Sequence, residues 1–154
     1  MGLDSTLYAK SYHSSLRPDE KKIADKIIKA VNAKAVMHEN NADYYFACVT
    51  VPVAYWRKCN HIHKFFCDLD NGRDECQTIF VKHSDIEELV DRCKRVIEDP
   101  LLGPKLLPRK PGFFFGPLEY DDDYIDTLSY TLTMIDSLVE KAGNEWEFEY
   151  RASW

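Results

Sequence analysis

Apolar residues recur along the chain at two spacings, and the spacings mark out its elements. Ile86, Leu89, Val90, Cys93, Val96 and Ile97 follow one another at helical intervals, the stripe of an amphipathic helix. Ser84 with Glu87 three positions on predicts a capping box at its start. Trp146, Phe148 and Tyr150 instead alternate with Glu145, Glu147 and Glu149, which predicts a strand over 145–151 with one face on the core and one in water. Further strands are expected at Leu3–Tyr8, at Tyr44–Val51 ending before Pro52, and at Gln77–Lys82. Pro18 with Asp19 and Glu20 opens a helix carrying Ile23, Ile27, Ala30 and Val31. Beyond it, the polar cluster His38–Asn41 reads as a loop.

Ala54–Asp68 reads as a helix with Tyr55, Trp56, Cys59, Ile62, His63, Phe66 and Cys67 on one face. Arg57, His61 and Lys64 fall opposite. Asp121–Asp123 begins the last helix, whose core positions are Ile125, Leu128, Leu132, Ile135, Leu138 and Val139 and whose end is Gly143. Five of the seven prolines crowd into residues 99–118, together with Phe113-Phe114-Phe115 between two glycines. A linker does not carry three consecutive Phe, so this Pro/Phe-rich segment is expected to be a loop packed on the domain. The resulting order, β-α-β-α-β-α-loop-α-β, defines a single α+β domain over residues 1–154. It has a small mixed sheet of about four strands and about four helices mainly on one face.

Composition narrows the function classes. With 154 residues, 45% apolar and 30% charged, the chain is an ordinary globular domain. No apolar run is long enough to span a bilayer and the N-terminus lacks a signal-peptide core, so no membrane association is expected. Five Cys without a CxxC pair suggest a reduced, cytoplasmic protein. The net charge of −6 argues against nucleic acid as a partner. Ten of the acids lie in residues 119–150 beside a single base, Lys141. That window reads first as a solvated face and helix-dipole complement, and second as a surface for a basic partner or a homo-oligomeric decoy.

Motif chemistry is sparse. Cys59, His63 and Cys67 are spaced i, i+4, i+8, which is metal-ligand spacing on a helix. They share that face with Tyr55, Trp56, Ile62 and Phe66, so core packing is favoured and no metal or other cofactor is expected. Asp68–Glu75 resembles a calcium loop but has Gly72 at the fifth position and Ile79 at the twelfth, so it reads as a turn. Neither a GxGxxG nor a Walker A loop occurs, and there is no GxSxG or HExxH.

Two segments mix aromatic and polar groups: Tyr55, Arg57, Lys58, Asn60 and His61, and Phe113, Phe114 and Phe115 with Tyr120. Arg beside aromatic rings suits planar anions such as nucleotides, and equally suits protein hot spots. The terminal Trp154 adds an indole and a carboxylate. The same segments carry a resemblance. MGLD at the start, Tyr55–Phe66 (YWRKCNHIHKFF), GFFFG before Glu119-Tyr120-Asp121, and Ala152-Ser153-Trp154 together resemble a family of small bacteriophage and prophage proteins. The likeness runs from about residue 53 onward and is poor over residues 10–50. Cys59 stands where that family has a small residue, often Ala. No activity is established for the family.

The resemblance implies an accessory protein acting in the host cytoplasm, counter-defence included. The expected function is therefore a binding protein that sequesters or inhibits a host protein or a nucleotide-like signal. Its site residues would be Tyr55, Arg57, Lys58, Asn60, His61, Phe113, Phe114, Phe115, Tyr120 and Trp154. The alternatives are a small enzyme using His61 or His63 as base or metal ligand, and an acidic oligomeric decoy.

Overall fold

Strand β1 (Asp4–Ser14) is buried at alternate residues, with Leu7 and Ala9 facing inward, as the two-residue period of a half-covered strand requires. A computed structural model describes residues 2–31 and 45–154. The further elements are α1 (Pro18–Ala30), β2 (Phe46–Arg57), α2 (Asn60–Leu69), β3 (Ile79–Val81), α3 (His83–Glu98), α4 (Gly103–Leu106), α5 (Asp122–Ile135), α6 (Leu138–Ala142) and β4 (Glu147–Ser153). The strands form one antiparallel sheet in the order β2-β1-β4-β3. The α+β class and four strands follow the sequence, while the sheet is antiparallel where a mixed one was expected.

The chain divides into two compact units, Met1–Ala9 with Val51–Trp154, and Lys10–Thr50. In the smaller unit α1 starts at Pro18 as expected, but of its residues only Ala24 is buried. Ile23 and Val31, expected in the core, are exposed. The loop expected at His38–Asn41 lies outside the described residues.

The larger unit holds the main core, in which Trp56, Ile62, Phe66, Leu89, Leu128 and Phe148 come together from β2, α2, α3, α5 and β4. On the β3–β4 ladder Ile79 pairs with Tyr150 and Val81 with Phe148, all four buried, while Phe80 on the other face is exposed. Helix α3 follows its predicted stripe, with Ile86, Leu89, Cys93 and Val96 buried. Its cap lies earlier than Ser84–Glu87, since Asp85 accepts from the Lys82 N–H at 2.8 Å.

β1 runs on past the expected Tyr8 to Ser14, and three further boundaries depart from expectation. β2 runs through Pro52 to Arg57; it is an edge strand, where a residue without an N–H is tolerated. The helix expected from Ala54 begins only at Asn60. Lys58, at φ 55°, turns the chain between strand and helix in the left-handed region. The last helix is split into α5 and α6. Within 99–118, Pro100–Leu102 forms a 3-10 turn leading into α4, so the first part of that segment is helical.

Candidate functional site

The β2–α2 junction is held by two main-chain bonds. Lys58 N–H donates to the Leu3 carbonyl at 2.7 Å, and Leu3 N–H donates to the Phe114 carbonyl at 3.1 Å. The GFFFG motif closes on the same point. Gly116 adopts φ +99°, and a Cβ there would meet the Lys58 carbonyl at 2.7 Å. At Gly112 a Cβ would meet the Phe115 ring at 2.5 Å. Both glycines are therefore demanded by close approach, and one by its backbone angle as well.

Beside this junction lies an open cleft of about 430 Å³, lined by Arg57, Lys58, Cys59, Arg109, Pro117, Asp123, Asp126, Thr127 and Tyr130. It lies at the N-terminal end of α2, whose first turn carries no acid, so the helix dipole adds to the small positive excess of three cations over the two carboxylates Asp123 and Asp126. Arg109 is held in place. Its side chain is 5% exposed, its Nε donates to the Glu119 carbonyl at 2.9 Å, and its guanidinium lies 4.9 Å from the centre of the Tyr124 ring. Asp121 is 3.7 Å from it.

His61 and Asn60 lie beneath this lining. Asn60 Nδ2 donates to the Pro117 carbonyl at 2.8 Å. The Thr127 hydroxyl donates to the Tyr124 carbonyl at 2.7 Å, so it accepts from His61 Nε2 at 3.0 Å. His61 is fully buried, not on a solvent face as the helical wheel placed it, because α2 buries nearly its whole circumference. Burial, aided by the Arg109 charge, lowers its pKa to about 3 and keeps it neutral. Among the described residues, the buried side-chain atoms without a partner are Asn60 Oδ1 and His61 Nδ1. Both are acceptors, and such groups are costly to leave unpaired.

Other predicted site residues separate from this cleft. Tyr55 is exposed on β2 and its hydroxyl donates to Asp4. Phe113 is 94% exposed, Phe114 36% and Phe115 5%. Tyr120 packs on Tyr124, and its hydroxyl accepts from the Arg109 N–H at 2.9 Å. Trp154 packs edge-on against His63 and Phe115, at 5.3 and 5.4 Å between ring centres. Cys59 does not join His63 and Cys67. Its thiol donates to the Arg57 carbonyl at 3.4 Å. Burial pushes the Cys59 and Cys67 thiols up to about 11, so neither offers a thiolate nucleophile.

Sequence reasoning missed Arg109, Thr127 and Tyr130. Arg109 was visible as one of two adjacent bases inside the Pro/Phe-rich segment. In the acidic window Asp121 caps α5 with Asp122 and Asp123 in its first turn, as expected of a helix-dipole complement, whereas Asp136 pairs with Lys94 at 2.7 Å and Glu149 is buried beside Arg151 at 3.0 Å. All five cysteines are free, and among the described residues no helix is long and apolar enough to cross a membrane. Compared with known proteins, the chain matches no family model, no curated protein and no solved structure.

Proposed function

We propose that this chain is a non-enzymatic binding protein that sequesters a small planar anion of nucleotide type in the cleft at the start of α2. The phage-like motifs suggest its setting, an accessory protein acting against a host signal in the host cytoplasm. The observation that carries the reading is the cluster of Arg57, Lys58 and Arg109, which outnumber Asp123 and Asp126 in the lining of the cleft. Cations of this kind suit a phosphate. Tyr130, half exposed at the rim, offers a ring for stacking.

Binding is favoured over turnover because the buried groups nearby are held in unreactive states: His61 neutral, and the Cys59 thiol protonated. A protein partner is the second reading, favoured by the exposed rings of Phe113 and Phe80. Isothermal titration with nucleotides separates the two. Saturable heat that disappears in Arg57→Ala supports the cleft; no heat with any nucleotide contradicts it.

A further inference from the structure

Away from the cleft, α2 brings a second set of groups together. His63 and Cys67 lie one turn apart on α2. Asp74 reaches them from the turn that follows, where Asn71, Gly72 and Cys76 all have positive φ. His63 Nε2 is 2.9 Å from Asp74 Oδ1 and 3.5 Å from Cys67 Sγ. The three donor atoms all lie within 4.8 Å of one another. One imidazole nitrogen thus faces a carboxylate oxygen and a sulfur at once. A single N–H serves only one of them, whereas a cation between them serves both.

We infer that His63, Cys67 and Asp74 form a binding site for a transition-metal ion of zinc type. The sulfur–nitrogen spacing matches the chemistry, and the 2.9 Å between nitrogen and carboxylate oxygen, a hydrogen-bond length, widens to about 3.3 Å as the ion displaces that bond. Bonds of about 2.3 Å to sulfur and about 2.0 Å to nitrogen at a tetrahedral angle set those two atoms about 3.5 Å apart. A mixed sulfur, nitrogen and oxygen set selects zinc-like ions over calcium or magnesium.

The surroundings supply the outer contacts that such a site uses. With Nε2 on the ion, Nδ1–H donates to the Tyr150 hydroxyl, 2.8 Å away, which fixes the ring's orientation. Lys110 Nζ holds the second oxygen of Asp74 at 3.0 Å, leaving Oδ1 for the ion. The rings of Phe115 and Trp154 wall His63. Burial raises the Cys67 thiol pKa, so metal uptake must release that proton. Three protein ligands leave one tetrahedral position for water or a ligand atom. This site is independent of the cleft, and either can fail without the other.

Cobalt titration tests it directly. The chain carrying Cys48→Ser and Cys76→Ser, which remove its two exposed thiols, is stripped with chelator and titrated with Co²⁺. A thiolate-to-cobalt charge-transfer band is expected to saturate at one equivalent and to be displaced by one equivalent of Zn²⁺. Cys67→Ser should abolish it, Cys93→Ser should leave it intact, and Asp74→Asn should weaken Co²⁺ binding at least tenfold. Asp74 is partly exposed, so its variant keeps the test decisive if Cys67→Ser does not fold. No band in the folded parent, or a band indifferent to both Cys67→Ser and Asp74→Asn, overturns the site.

Discussion

His61 Nε2 donates to Thr127 Oγ1 across 3.0 Å, and Thr127 spends its own proton on the Tyr124 carbonyl. That pair fixes which nitrogen of a fully buried imidazole carries hydrogen, and leaves Nδ1 as a bare acceptor. Because the folded pKa is about 3, against about 6.5 in an unfolded chain, the unfolded state takes up the proton first as pH falls. The stability tied to neutral His61 is complete above pH 6.5 and is lost progressively between about 6.5 and 3. By pH 5 the loss is about 2 kcal/mol relative to pH 7. Urea unfolding at the two pH values measures it, and His61→Gln should flatten the difference by that amount.

Gly116 should be the least replaceable glycine of the Pro/Phe-rich segment. Alanine there combines a φ of +99° with a Cβ 2.7 Å from a backbone oxygen, costing about 1–3 kcal/mol from the strained backbone and more from the clash. Gly72 provides the comparison, because its φ of +76° comes with open space around it. Gly72→Ala should cost only the left-handed penalty, about 1–2 kcal/mol. Thermal melts of both variants give the order.

The three consecutive phenylalanines should behave differently on truncation. Phe115→Ala removes a buried ring packed on His63 and Trp154 and should cost about 3–5 kcal/mol. Phe113→Ala, at a residue that is almost wholly exposed, should leave the melting temperature unchanged. Chemical denaturation of the two variants checks both statements.

These contrasts show where the sequence was informative. Helix α3 was legible because Ile86, Leu89, Cys93 and Val96 repeat at one period and no competing signal interrupts them. The β2–α2 junction was not legible. Tyr55 and Trp56 fit a helical wheel as well as a strand, and only the left-handed Lys58 and the capping residue Cys59 separate the two elements. Moving that boundary put His61 inside the fold and Tyr55 on its surface. Glu149 alternates with the apolar residues of β4 as a solvent-facing residue should, yet it is buried beside Arg151, a pairing that alternation alone cannot reveal. Arg57, Lys58, Asn60 and His61 stand out together because they are close neighbours in sequence. Arg109 and Thr127 join them only through the packing of distant segments.

The two arginines of the cleft should separate binding from stability. Arg57 is exposed, so Arg57→Ala should lose ligand while melting as the parent does. Arg109 holds the Glu119 carbonyl and covers Tyr124, so Arg109→Ala should lose ligand and about 1–3 kcal/mol of stability together. Differential scanning fluorimetry with and without nucleotide reads both effects.

Native mass spectrometry of the parent and Arg57→Ala chains, each mixed with mono-, di- and cyclic nucleotides, tests the cleft most directly. The expected result is a one-to-one adduct with at least one nucleotide class, absent from Arg57→Ala at an unchanged melting temperature. No adduct with any of them, or one that Arg57→Ala and Arg109→Ala leave intact, contradicts a nucleotide site at the start of α2.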